Sequence, residues 1–169
     1  MISRRFLQQQ SYTFTSKQKC TIIEFFITFS RFEFALIASG KVKGRNYAMA
    51  DWTTFANEIQ QQYDETVKNE ESQVAVNYIL GNPPSFLAND VGHVQWKIKN
   101  FEEGTLEIIK LCEFIKSIRN NLFHGSKFTF QAHNNRERDF KLVESALIIL
   151  NHLLSLDEVI KERFLEPIG

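Results

Sequence analysis

A formally neutral chain of 169 residues, 43% apolar and 24% charged, has enough hydrophobic residues for one packed core and is too apolar for a disordered chain. Zero net charge and a pI near 6.9 exclude a globally basic nucleic-acid binder, so any grip on phosphate has to come from a local cluster. Sixteen Phe against seven Gly and three Pro point to an aromatic core with few breakers, which favours helices over a many-turned β fold.

Residues 1–16 are polar and aperiodic and read as an N-terminal tail, with residues 17–169 forming one helical domain. From Lys17 to Gly40, apolar residues at Ile22, Phe25, Phe26, Phe29, Phe32 and Leu36 recur at threes and fours, the stripe of a buried amphipathic helix. The same stretch is the most apolar in the chain, yet Glu24, Arg31 and Glu33 interrupt it. A membrane span of about twenty residues does not carry charges at that spacing. No apolar signal core follows the basic N-terminus, and a cytoplasmic location is expected. Cys20 and Cys112 form no C-x-x-C pair and are expected as buried free thiols.

"KVKGRNYAMA" reads as a loop, after which Asp51 caps a second helix carried on to about Asn69. A third helix, "ESQVAVNYIL", stops at "GNPPS". Residues 86–102 are ambiguous: "HVQWKIKN" alternates like a short strand but has no obvious pairing partner. Glu103–Phe123 and Arg136–Leu156 are striped helices separated by the loop "GSKFTFQAHNN", and a short helix over Asp157–Phe164 closes the chain. The expectation is an all-α, single-domain bundle of five to six helices.

The segment "IRNNLFHG", 118–125, ends the helix that starts at Glu103 with unusually polar chemistry. Asn120 and Asn121 precede His124 by four and three residues, so both amides can flank the imidazole. Arg119 lies about 140° round the helix from it, and its long side chain can lean across. The plain alternative is a capped terminus, with Arg and His complementing the helix dipole and Gly125 as the stop. Lys127 with Arg136, Arg138 and Lys141 forms the nearest basic cluster, whereas Arg4 with Arg5, Lys17 with Lys19, and Lys41-Lys43-Arg45 read as solvated charges.

The R-x4-H spacing from Arg119 to His124, with Asn120 in the polar slot, resembles the signature of the HEPN superfamily: small all-α domains, many of them metal-independent ribonucleases of toxin–antitoxin, phage-defence and RNA-processing systems. "HGSKF", the helix beginning "RERDFKLVESALIIL", and "FSRFEFALIASG" followed by "DWTTFA" resemble members of that family over most of residues 20–156. The motif itself is loose, and its surroundings carry more of the likeness.

The resemblance implies a homodimer in which two Arg/His pairs share one cleft. RNA supplies its own nucleophile, the 2′-hydroxyl, so the protein has to move a proton and stabilise a phosphorane-like transition state. The imidazole of His124 suits the first task and the planar fork of Arg119 the second, with Asn120 orienting the imidazole. Asn121 and Lys127 come near enough to reach substrate phosphate, though solvated side chains are the plain reading. Arg31 either faces the cleft or pairs with Glu33.

Expected partners are RNA, a second copy and an antitoxin or other cognate regulatory protein. No cofactor or metal is expected, because His93, His124, His133 and His152 lack zinc-site spacing. His133 reads as a loop residue, His152 as a packing histidine, and Trp52 and Trp96 as core or interface residues before base-stacking ones. Two other functions compete: a non-catalytic helical dimerisation module that binds a nucleotide, an RNA or a cognate protein, and a plain helical scaffold.

Overall fold

The computed structural model describes residues 14–66, 68–90, 93–123 and 136–167. Helix α1 (Ser16–Ala38) starts on a capping box, in which Thr15 Oγ1 accepts from the Gln18 amide while Gln18 Oε1 accepts from the Thr15 amide. It ends in a Schellman turn: Gly40, at φ 80°, lets Lys41 N–H reach back to the Leu36 carbonyl and Gly40 N–H to Ile37. Phe25, Thr28, Phe29, Phe32, Ala35 and Leu36 form its buried face.

The segment expected as a loop holds a two-residue ladder, β1 (Val42–Lys43) against β2 (Met49–Ala50). Gly44, at φ 100°, makes its turn, and a Cβ there would lie 2.4 Å from the Tyr47 carbonyl oxygen. Asp51 then caps α2 (Trp52–Glu58), accepting from the amides of Thr53 and Thr54. The expected long second helix breaks at Ile59, and α3 (Gln60–Glu65) follows. The break sets both Ile59 and Tyr63 into the core.

Helix α4 (Glu70–Gly81) is capped by Asn69 and stops before the two prolines. Residues 86–102 resolve into an antiparallel hairpin, β3 (Ser85–Asp90) with β4 (His93–Ile98). The strand at "HVQWKI" does have a partner, the segment directly before it, which polar and small residues had hidden. Helix α5 (Glu107–Phe123) begins one turn later than expected, because Gly104 takes φ 81° and a turn joins Thr105 to the Glu102 carbonyl. Helices α6 (Arg136–Leu154) and α7 (Glu158–Leu165) complete the chain.

The fold is thus mostly helical, with two small antiparallel sheets beside the helices. Helix α6 is central, packing along α4 and α1, with α7 closing over α1 and α2 over α5. One continuous core runs through them. Its aromatic heart is Trp52, stacked on Phe32 (centroids 4.9 Å) and Phe29 (5.4 Å), with Phe55 edge-on to Phe32. Cys112 is buried, and burial pushes its thiol up to about 12. Cys20 is exposed instead, because it falls on the outward side of α1. No helix among the described residues is long and apolar enough to cross a membrane.

Candidate functional site

The polar end of α5 is built on its own core stripe: Leu111, Ile115 and Ile118 are buried and fix the rotation of the helix. Arg119 is consequently half-buried, Asn120 exposed and Asn121 buried. The structure brings the first two together, Arg119 Nη1 donating to Asn120 Oδ1 at 3.0 Å. The guanidinium also lies over the Phe29 ring, 5.4 Å from its centroid. Phe29 is held in turn by Trp52, whose indole Nε1 donates to Glu33 Oε1 at 3.3 Å. Arg119 therefore rests on a stacked aromatic floor anchored in the core, which restricts a side chain that otherwise has many rotamers.

Asn121 points the other way. Its Nδ2 donates to the Ser85 carbonyl at 2.7 Å, fastening the start of β3 to α5. The two amides expected to flank one imidazole are thus divided between an exposed position beside Arg119 and a buried tether to the hairpin. His124, Lys127 and His133 lie outside the described residues.

Arg31 stands on α1, where its Nε and Nη2 donate to the Phe164 carbonyl at 3.1 and 2.7 Å and Nη2 also reaches the carbonyls of Arg163 and Glu166. These are the orphan carbonyls at the end of α7, so Arg31 caps that helix with its planar fork. Glu33, which the sequence offered as its ion-pair partner, serves Trp52. Trp52 is a core residue, while Trp96 lies across from Leu87 on the hairpin.

A second polar cluster, which spacing alone did not reveal, gathers around Tyr63. Its hydroxyl donates to Glu107 Oε1 at 2.7 Å, the Lys68 ammonium lies 3.9 Å from its ring centroid, and His152 meets the ring edge-on at 6.2 Å. Burial and the bond to Glu107 push the phenol far above its ordinary range. Burial, and then Lys68, hold His152 below its usual value. Four separate segments contribute these residues, so no short motif announces them.

Close to the hairpin, burial pushes the Glu113 carboxyl up, but the ammonium groups of Lys116 and Lys99 outweigh it and hold the group below its ordinary value. The contact from Lys99 ties the 99–106 connection to α5, while Lys116 pairs with Glu113 within the helix. Among the described residues, no group of three or more His, Cys, Asp or Glu side chains gathers as a metal site would.

Compared with protein-family models, curated proteins and solved structures, the chain gives no match.

Proposed function

We propose that this protein is a metal-independent endoribonuclease of HEPN type, acting as a homodimer whose two Arg119/His124 pairs meet in one cleft. The observation that carries this reading is the placement of Arg119. It sits at the polar end of α5, braced by Phe29 and hydrogen-bonded to Asn120, five residues ahead of His124 in the sequence. A pre-oriented guanidinium matches the non-bridging oxygens of a phosphodiester, and its charge persists through the transition state.

In this mechanism His124 takes the proton from the ribose 2′-hydroxyl or delivers one to the leaving 5′-oxygen. The attack forms the 2′-O–P bond and breaks the P–O5′ bond, giving a 2′,3′-cyclic phosphate and a 5′-hydroxyl. Asn120 is a positioning residue, holding Arg119 in register. A toxin or defence role, with a cognate protein restraining the activity, fits such chemistry. Lys127 remains a candidate phosphate contact. Asn121 and Arg31 have internal hydrogen-bond partners, and they serve the reading by fixing the hairpin and α7.

A second reading has its own support. An arginine that lies on a core phenylalanine and bonds its neighbour is also what a packing residue looks like, and that favours a non-catalytic module binding RNA, a nucleotide or a partner protein. Incubating purified protein with RNA in the presence of a chelator separates the two. The nuclease reading expects cleavage that Arg119→Ala and His124→Ala each abolish while the fold is retained.

A further inference from the structure

Helix α1 is apolar on more than its buried face. Ile23 and Ile27 are each 58% exposed and Phe34 is 45% exposed, and they line up with exposed Cys20 and Ser30. Positions 20, 23, 27, 30 and 34 alternate threes and fours, the spacing of a helix–helix seam. A helix that is apolar on both faces belongs inside an assembly, yet among the described residues of one chain only the inner face is covered.

We infer that this outer stripe is the contact surface for a second copy of the chain, with the two α1 helices packed antiparallel about a two-fold axis. The stripe is self-complementary in that arrangement. With the axis between Thr28 and Phe29, Ile27 of each copy faces the small Ser30 of the other, and Ile23 faces Phe34, so large meets small and ring meets branched chain. The charged rim agrees. Glu24 is exposed and makes no ion pair with a described residue, and Arg31, whose bonds to α7 use Nε and Nη2, comes on the same flank within about 3 Å along the axis of the level of Glu24 from the second copy. Parallel packing about a two-fold axis would put the two copies of Glu24, and of Arg31, on opposite flanks of the seam, so Glu24 of one copy would not meet Arg31 of the other. A helix of this length offers a seam of roughly 34 Å at 1.5 Å per residue, and α1 is firmly seated on α6 and α7, so the surface is preformed.

This contact is separate from the Arg119 cleft. Phe29, which carries Arg119, lies about 120° to 160° round α1 from Ile23, Ile27 and Phe34. The α1 contact therefore stands or falls independently of the ribonuclease reading, and a protein using both surfaces is a tetramer.

Sedimentation of the full chain, with no RNA present, tests it. The wild type should be a multimer, and Ile27→Asp should halve its mass and weaken self-association at least about a hundredfold, as loss of a central apolar anchor does. Helical circular dichroism should be unchanged, since the side chain is exposed. A monomeric wild type, or a folded Ile27→Asp variant of unchanged mass, overturns the inference. The triple variant Cys20→Ser, Ile27→Cys, Ser30→Cys should oxidise to a covalent dimer linking position 27 of one copy to position 30 of the other. Failure to link that pair overturns the antiparallel arrangement.

Discussion

Replacing Asn121 with alanine tests how the candidate site is held. The side chain is 6% exposed and its Nδ2 donates to the Ser85 carbonyl at 2.7 Å. Its removal forfeits a net bond of about 1 kcal/mol and leaves the Ser85 carbonyl short of a donor in a partly buried place, for a total of roughly 2 kcal/mol. For a chain of this size that corresponds to a fall in Tm of about 4–8 °C. A two-stranded hairpin has little stability of its own, so the loss should concentrate there. Denaturant unfolding should show the global change, and hydrogen exchange should show the backbone amides of Ser85–Asp90 and His93–Ile98 losing protection before those of α6. If stability falls by less than about 0.5 kcal/mol and hairpin exchange is unchanged, Asn121 is not the tether described. If RNA cleavage disappears in that same unperturbed variant, the residue is a substrate contact.

Other outcomes follow from the same geometry. Arg31→Lys should destabilise nearly as much as Arg31→Ala, by roughly 2 kcal/mol, because a single ammonium cannot replace a fork that serves three carbonyls; thermal melts check it, and full rescue by lysine would contradict the capping role. His152 is held below its ordinary 6.5 by burial and then by Lys68, so the unfolded chain binds the proton more readily. Its contribution to stability is present above that value and declines as pH falls through it. Stability measured from about pH 7.5 down to 5.5, around the ordinary histidine value, should fall, and His152→Gln should flatten that part of the profile. Cys20 should react promptly with a thiol reagent in the native protein, whereas Cys112, with its thiol pushed up to about 12 and buried, should react only on unfolding.

Much of the helical framework was legible because its signals are local. The Phe stripe of α1, Gly40 as its stop and Asp51 as the cap of α2 all act within a turn or two of chain. The hairpin was not, since Ser85–Asp90 lacks the β-branched alternation that marks a strand and gains its identity from pairing with His93–Ile98. The break at Ile59 was hidden for a related reason: the polar run after it propagates a helix on propensity, while burial of Tyr63 redirects the chain.

At the candidate site the sequence offered Arg119, Asn120 and Asn121 as one polar group, and the rotation set by Leu111, Ile115 and Ile118 divides them. The Phe29 floor beneath Arg119, the Tyr63–Glu107 bond and the Arg31 cap on α7 each join residues distant in the chain. Their spacing carried no signal.

Incubating the purified protein with RNA in excess EDTA and resolving the products decides whether it is a metal-independent ribonuclease. The expected products are fragments ending in a 2′,3′-cyclic phosphate, opposite 5′-hydroxyl ends, with Arg119→Ala and His124→Ala each inactive and as helical as the wild type. Intact RNA with the wild type, or undiminished cleavage by His124→Ala, would contradict it.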